Sequence, residues 1–132
     1  MIESKIKVAV VDDDPSYLRA LERLLRAAEF DARGYSSAET FLFEYPNLPL
    51  DCAILDIRLG TMSGFDVARR LAAERSQVPI IFITAHDGPE AREEARQLGC
   101  VAYLRKPFPA QSLIDAIRSA LPPKQPATAG IS

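Results

Sequence analysis

The chain has 132 residues, 16 basic and 18 acidic side chains, a net charge of −2 and a hydrophobic share of 48%. This length is typical of one domain that folds without a disulfide framework. The near-neutral charge gives no general reason to bind nucleic acid, and no apolar run approaches the roughly 20 residues of a membrane-spanning helix. The first residues lack the apolar core of a signal peptide. We therefore expect a soluble, cytoplasmic domain that binds neither nucleic acid nor membrane directly.

Five short segments predict the strands of a parallel sheet. Continuous apolar runs of about four to eight residues, rich in Val and Ile, are typical of strands that are buried on both faces. The four strong runs are Ile6–Val11, Cys52–Leu55, Ile80–Ile83 and Val101–Leu104. A weaker segment, Asp31–Tyr35, lies between two helical stretches and is predicted to be an edge strand.

Helical periodicity fills the intervals between these segments. In each interval a proline or serine that suits a first helical turn precedes apolar residues spaced three and four apart. The predicted helices begin near Pro15, Ser37, Ser63, Pro89 and Pro109. Strand and helix thus alternate five times, which predicts an α/β fold with a doubly wound, five-stranded parallel sheet and helices on both faces. In such folds ligands bind beyond the carboxyl ends of the strands.

The last residues of the chain, 122–132, differ in composition from the rest. They contain three of the ten prolines and one large apolar residue. Such a segment buries too little surface to offset its ordering entropy. We predict one domain over residues 1–121 and a flexible tail, or the start of a linker, over residues 122–132.

Polar residues follow four of the predicted strands, each at the point where the strand ends. They are Asp12, Asp13, Asp56, Thr84 and Lys106. Because the carboxyl ends of parallel strands meet at one edge of the sheet, these side chains are expected to share one crevice. The neighbouring Asp14 is explained more simply as the cap of the first helix.

This set of side chains suits a divalent cation and a phosphoryl group. Clustered carboxylates repel one another and take up protons unless a cation offsets their charge. Mg²⁺ prefers such hard oxygen ligands. A carboxylate can form an aspartyl-phosphate, and a lysine can stabilise the transferring phosphoryl group. The pattern therefore indicates Mg²⁺-assisted phosphoryl chemistry.

The sequence resembles the receiver domain of two-component response regulators. The matching segments are VAVVDDDP, ILDIRLGTMSG, IIFITAH and AYLRKPF, and Gly64 follows Asp56 by eight residues. The resemblance covers residues 5 to about 121 and implies a flavodoxin-like fold with strand order 2-1-3-4-5. It also implies a signalling phosphoacceptor and not an enzyme, with self-catalysed phosphorylation and dephosphorylation only.

The resemblance implies a role for the acidic residues. Asp56 would be the phosphoacceptor, which takes its phosphoryl group from a histidine kinase or a histidine phosphotransfer protein. Asp13, Asp56 and the backbone carbonyl of Arg58 would bind Mg²⁺, or alternatively Mn²⁺. Asp12 would act on the metal through water.

The resemblance also implies a switch. Lys106 and Thr84 would contact the phosphoryl group, and the bond from Lys106 to Pro107 would be cis. Movement of Thr84 would free space for the switch aromatic, Tyr103. The face formed by the fourth helix, fifth strand and fifth helix would then change and bind a downstream protein or a second copy of the chain.

Four positions near the site carry residues of interest. Leu59 and Gly60 replace a Met-Pro pair that is frequent in the family, and Gly60 is expected to loosen this loop. Arg58 and His86 stand two residues after Asp56 and Thr84, at positions that influence loss of the phosphoryl group in the family. We hypothesise that these bulky side chains hinder the attacking water.

Two other functions and one structural alternative stay open at this level. A haloacid-dehalogenase-type phosphohydrolase would use Asp12 as nucleophile and Asp14 as general acid, but it would leave Asp56 without a role. A receiver-like module that no longer accepts phosphate would keep only the interaction surface. The chain could be a stand-alone receiver or part of a longer regulator with an output domain.

The two cysteines are predicted to be free thiols. Cys52 and Cys100 fall at the starts of the third and fifth strands, which the fourth strand separates. Strands two apart lie about 10 Å from each other, whereas a disulfide needs Cα atoms within about 7 Å.

Overall fold

The computed structural model describes residues 5–121. The strands of its main sheet are β1 (Lys7–Val11), β2 (Asp31–Tyr35), β3 (Cys52–Asp56), β4 (Ile80–Thr84) and β5 (Ala102–Arg105). The helices are α1 (Pro15–Ala27), α2 (Ala38–Glu44), α3 (Gly64–Ala73), α4 (Pro89–Gln97) and α5 (Ala110–Ala120). The predicted tail over residues 122–132 lies outside the described residues.

The main sheet has the order β2-β1-β3-β4-β5, and every neighbouring pair of strands is parallel. This confirms the predicted flavodoxin-like α/β fold and the edge position of β2. The chain leaves β1 toward one side of the sheet and leaves β3 toward the other. The strand order therefore reverses between β1 and β3, which is where ligands bind in such sheets.

The side chains of the central strands alternate between two hydrophobic cores, one on each face of the sheet. The first core joins the sheet to α1 and α5 and includes Val8, Val10, Ile54, Leu25 and Leu113. The second joins it to α2, α3 and α4 and includes Ala9, Leu55, Phe82, Phe41 and Leu71. These two packed layers fix the central strands and hence the positions of the residues at their carboxyl ends.

The boundaries of several elements differ from the predictions by one residue. β1 begins at Lys7, and β3 and β4 extend to Asp56 and Thr84. β5 begins one residue later than predicted and is only partly buried, because it lies at the edge of the sheet. α2 ends at Glu44, and Tyr45–Asn47, which contains Pro46, forms a 3₁₀ turn after it. α5 starts at Ala110, and Pro109 precedes it as the N-terminal cap residue.

Side-chain caps fix the start of three helices at the sheet edge, α1, α2 and α3. Asp14 Oδ1 accepts hydrogen bonds from the backbone N–H groups of Ser16, at 3.0 Å, and Tyr17, at 3.3 Å. Ser63 and Asp66 form a reciprocal capping box at the start of α3. The prediction that Asp14 caps the first helix is confirmed, and one cap requires only one side chain.

The segment after β3 contains an element that the sequence did not predict. Arg58–Leu59 pairs with Met62–Ser63 as a short antiparallel ribbon. Gly60, in the turn of this ribbon, has a φ of 77°, a conformation that suits glycine. Gly60 therefore serves a defined turn, and the expectation that it loosens the loop stays a prediction.

Two further expectations concern the whole fold. Cys52 is buried, Cys100 is partly exposed, and both are free thiols, as predicted from the separation of β3 and β5 by β4. Among residues 5–121, no helix has the length and apolar character needed to cross a membrane.

Candidate functional site

A buried ion-pair cluster lies at the carboxyl ends of β1, β3 and β5. Lys106 Nζ donates hydrogen bonds to Asp12 Oδ2, at 2.8 Å, and to Asp56 Oδ2, at 3.2 Å. Asp12 is fully buried, and Asp56 is 6% exposed. The bond from Lys106 to Pro107 is cis, as expected. The fold thus brings together three of the predicted residues from distant parts of the sequence.

Asp13 adds a third carboxylate to this cluster. It is exposed, and its ligand oxygen lies with those of Asp12 and Asp56 so that all three are within 4.8 Å of one another. Three carboxylate oxygens at this spacing, partly open to solvent, fit a hard divalent cation such as Mg²⁺. The donor set therefore agrees with the metal site that the sequence predicts.

The positive charge of Lys106 does not fully balance the negative charge of the carboxylates in the cluster. Burial, followed by the negative charge of Asp12, raises the pKa of Asp56 from 3.8 to about 6, although Lys106 opposes this. Burial alone would lower the pKa of Lys106. The hydrogen bond to Asp12 and the charges of both carboxylates nevertheless raise it overall. One ammonium group does not balance two buried carboxylates beside a third, so a divalent cation would stabilise the ionised site.

Backbone groups orient both buried carboxylates. The N–H of Asp14 donates to Asp12 Oδ1 at 2.9 Å, and the N–H of Arg58 donates to Asp56 Oδ1 at 3.4 Å. Each Oδ1 is therefore engaged by the loop that follows its own strand. Each Oδ2 is left directed at the ammonium group of Lys106.

Gly64 explains the spacing that the matching motif shows after Asp56. A Cβ atom at position 64 would lie 2.4 Å from the backbone carbonyl oxygen of Asp56. The N–H of Gly64 also donates to the carbonyl of Ile57 at 2.8 Å. The start of α3 consequently packs against the backbone of the site, where only glycine leaves enough room.

Thr84 lies at the end of β4 and is fully buried. Its Oγ1 accepts a hydrogen bond from the N–H of His86 at 2.9 Å, and its carbonyl accepts one from the N–H of Lys106 at 2.7 Å. The hydroxyl hydrogen is not used by this contact and can be donated elsewhere. Thr84 thereby connects the loop before α4 to the lysine at the end of β5.

Tyr103 belongs to a second polar cluster, on the surface between β5 and α4. Its hydroxyl donates to Asp87 Oδ1 at 3.0 Å, and Arg92 donates to both carboxylate oxygens of Asp87, at 2.9 and 2.8 Å. The guanidinium group of Arg92 also lies 4.9 Å from the centroid of the Tyr103 ring. The register pairs Tyr103 with Phe82 and Arg105 with Thr84, so Tyr103 and Thr84 lie on the same face of the sheet.

Arg58 and His86 lie at the surface. Both are exposed, and within residues 5–121 neither side chain forms a hydrogen bond. Their backbone N–H groups, by contrast, contact Asp56 and Thr84. These two positions are therefore attached to the site through the backbone, and their side chains project toward solvent.

Tyr17 is a member of the site that the sequence analysis missed. The Nζ atom of Lys106 lies 4.2 Å from the centroid of the Tyr17 ring. Tyr17 is in the first turn of α1, just after the cap residue Asp14. Nothing in the sequence predicts this contact. The two residues lie far apart in the chain, and Tyr17 is a single tyrosine next to the apolar stripe of α1.

Comparison with known proteins agrees with this geometry. The model of the response regulator receiver domain family matches residues 8–118. The response regulator protein TmoT of Ectopseudomonas mendocina is 39% identical over 121 residues, which cover 92% of this chain and 55% of TmoT. The crystal structure of FixJ-N superposes with a TM-score of 0.83 at 30% identity and covers 89% of this chain and 94% of that one. A response regulator receiver protein from Burkholderia phymatum gives a TM-score of 0.75 at 42% identity, with coverage of 90% and 100%.

The chain therefore belongs to the response regulator receiver domain family, as its sequence motifs predict. This is a class of signalling protein. The alternative of a haloacid-dehalogenase-type phosphohydrolase is not favoured, and Asp14, its required general acid, is engaged as a helix cap. The chain spans about half the length of the curated relatives it matches, 55% of TmoT and 50% of TodT from Pseudomonas putida.

Proposed function

We propose that this chain is a phosphorylation-controlled switch in which Asp56 accepts a phosphoryl group from a histidine kinase or a histidine phosphotransfer protein. The observation that carries the proposal is the position of Asp56 Oδ2. This oxygen is nearly buried at the carboxyl end of a central strand and lies 3.2 Å from the ammonium group of Lys106. Two further carboxylates, Asp12 and Asp13, complete a cation site beside it.

The residues that would hold the metal follow from the same cluster. Asp13, Asp56 and the backbone carbonyl of Arg58 would be direct ligands of Mg²⁺ or Mn²⁺, with Asp12 acting through water. When bound, the cation would supply positive charge against the phosphoryl oxygens. The three carboxylates support this assignment, since one oxygen of each lies within 4.8 Å of the others.

The transfer step needs Asp56 ionised and in line with the donor. An Asp56 oxygen forms the new bond to phosphorus, the bond from phosphorus to the donor imidazole nitrogen breaks, and its electron pair stays on that nitrogen. The ammonium group of Lys106 contacts Asp56 Oδ2 in this structure. After transfer it would instead contact the phosphoryl oxygens and offset their negative charge. Before a cation binds, Asp12 holds the ammonium group of Lys106 at 2.8 Å and so keeps Lys106 beside Asp56.

Phosphorylation of Asp56 would change the positions of Thr84 and Tyr103. The Thr84 hydroxyl would donate its free hydrogen to a phosphoryl oxygen and move toward it. Tyr103, which shares a face of the sheet with Thr84, would leave its contacts with Asp87 and Arg92 and fill the space. The surface of α4, β5 and α5 would change in consequence and bind a downstream protein or a second copy of the chain.

Loss of the phosphoryl group would be a slow, self-catalysed hydrolysis. Arg58 and His86 are exposed residues whose backbones contact the two site residues Asp56 and Thr84. Their side chains would hinder the approach of water to phosphorus. Arg58→Ala and His86→Ala variants should then lose phosphate faster than the parent. Equal rates in parent and variants would refute this role.

The wider setting of the switch stays a prediction. We place it in the cytoplasm, where its kinase would phosphorylate it, and expect the domain to act through a protein partner without contacting nucleic acid or membrane. An output domain would have to come from a longer form of the chain or from a partner. A receiver-like module that does not accept phosphate is the competing proposal, and the following experiment separates the two.

Incubation with a small phosphodonor such as acetyl phosphate tests the function directly. With Mg²⁺, the parent should gain one phosphoryl group by intact-protein mass spectrometry, and chelation of the metal should prevent this. The isosteric Asp56→Asn variant should gain none. Absence of any gain in the folded parent would reject the phosphoacceptor function and favour the interaction module.

A further inference from the structure

Three groups surround the ammonium group of Lys106, and only two of them are carboxylates. Asp12 and Asp56 accept hydrogen bonds from Nζ, and the ring of Tyr17 lies 4.2 Å from the same atom. The Lys106 side chain is 16% exposed, so this cation lies largely out of water. Attraction between a cation and an aromatic face is strongest in such partly desolvated places.

The position of the Tyr17 ring is fixed by the same short segment that supplies Asp12. The N–H of Asp14 donates to Asp12, and the carboxylate of Asp14 in turn accepts from the N–H of Tyr17. The ring itself packs against the core between the sheet, α1 and α5. The loop after β1 therefore places one carboxylate and one aromatic face on two sides of the lysine.

The three contacts differ in what happens when a divalent cation enters the site. Asp12 and Asp56 belong to the carboxylate cluster, so a cation there would compete with Lys106 for their oxygens and would also repel the ammonium group. A neutral aromatic ring offers no ligand oxygen on its face and is not subject to this competition. Among the contacts of Nζ within residues 5–121, the one with Tyr17 is the contact whose partner group a cation in the carboxylate cluster does not compete for.

We propose that Tyr17 is a positioning residue that holds the Lys106 ammonium group beside Asp56 while a divalent cation occupies the carboxylates. The proposal deepens the phosphoacceptor function proposed above and rests on it. It assigns the effect to the aromatic face of Tyr17 and not to its hydroxyl. Tyr17 touches Lys106 and does not itself take part in bond formation.

Two substitutions separate the ring from the hydroxyl. Tyr17→Phe removes the hydroxyl and keeps the ring, whereas Tyr17→Leu removes both and keeps an apolar side chain against the core. Phe43→Leu is a matched control, because Phe43 is 83% exposed and lies on α2, away from the cluster. Circular dichroism and thermal unfolding check that each variant is folded.

The first measurement is independent of phosphorylation. Because Lys106 Nζ lies over the Tyr17 ring, the side-chain protons next to Nζ should show an upfield ring-current shift by NMR. This shift should persist in the parent and in Tyr17→Phe when Mg²⁺ is added, and it should be lost in Tyr17→Leu. Disappearance of the shift in the parent on addition of Mg²⁺ would overturn the proposal even if no variant folded.

The second measurement is the rate of phosphorylation by acetyl phosphate with Mg²⁺. Tyr17→Phe and Phe43→Leu should match the parent, and Tyr17→Leu should be slower by about threefold to thirtyfold, the range for loss of a cation–π contact. A slow Tyr17→Phe would assign the effect to the hydroxyl, and an unimpaired Tyr17→Leu would show that the ring is not needed. Either result would refute the proposal. A parent that takes up no phosphate would instead refute the phosphoacceptor function, and the NMR result would still decide the position of Lys106.

Discussion

Asp56→Asn should make the domain more stable at neutral pH, even though it removes an ion pair with Lys106. The parent holds Asp56 ionised in a nearly buried position beside Asp12, which raises the pKa of Asp56 from 3.8 to about 6. Asparagine has the same shape and carries no charge, and its single oxygen can accept one of the two hydrogen bonds, from Lys106 or from Arg58. The variant therefore relieves a larger electrostatic cost while it loses one acceptor.

The size of the effect follows from the pKa. A rise of about two units corresponds to roughly 3 kcal/mol, at about 1.4 kcal/mol per unit. Because the folded state holds the proton of Asp56 more tightly than the unfolded state, this group favours folding below pH 3.8. That contribution is lost as the pH rises through about 6. The stability difference between variant and parent should thus be small near pH 4 and approach 2–3 kcal/mol, as an order of magnitude, at pH 7.

Urea unfolding of both proteins between pH 4 and pH 7, without divalent cations, measures this difference. Asp115→Asn is the control, because Asp115 is exposed on α5 and, within residues 5–121, its side chain hydrogen-bonds only to Gln111. Its substitution should therefore change stability by less than about 0.5 kcal/mol. Added Mg²⁺ should stabilise the parent and narrow its gap to Asp56→Asn. A variant no more stable than the parent at pH 7, or a gap that does not close toward pH 4, would refute the electrostatic account of the site.

Three other substitutions test separate parts of the structure. Gly64→Ala should lower the free energy of unfolding by about 1–3 kcal/mol in urea, because the new Cβ would lie 2.4 Å from the Asp56 carbonyl oxygen. An unchanged free energy of unfolding would contradict the close packing of α3 against the site. Leu113→Ala, at a fully buried position on α5, should lower the free energy of unfolding by about 2–5 kcal/mol in the same assay, and a smaller loss would mean that the core can collapse around the cavity. Burial, and next the hydrogen bond to Asp87, raise the pKa of Tyr103 to about 12, so its phenol should ionise only near that pH by ultraviolet absorbance. Asp87→Asn should lower this pKa, and an equal titration of both proteins would exclude the hydrogen bond as a cause.

The central strands of the sheet can be predicted from the sequence because their residues are almost all apolar, as buried strands require. The segments around β1, β3 and β4 are apolar on both faces, and only a central parallel strand covered by helices satisfies such a pattern. β5 has a similar apolar run but lies at the sheet edge, where burial is partial. A run of apolar residues thus indicates a strand but does not give its place in the sheet, which required the family resemblance.

The residues of the site were predictable where they stand at strand ends. Asp12, Asp56 and Lys106 each follow an apolar run, and parallel strands bring these positions to one edge of the sheet. Tyr17 could not be predicted, because its contact depends on the direction of a side chain in the first turn of α1. The ribbon at Arg58–Leu59 was also missed, since two-residue strands leave no periodic pattern.

The central claim, that Asp56 carries the phosphoryl group, is tested most directly by locating the modified residue. After phosphorylation of the parent with acetyl phosphate and Mg²⁺, borohydride reduction converts an aspartyl-phosphate to homoserine, which peptide mass spectrometry can place in the sequence. The account predicts homoserine at position 56 alone. Homoserine at position 12, or at no aspartate of a protein that is folded and binds Mg²⁺, would contradict it.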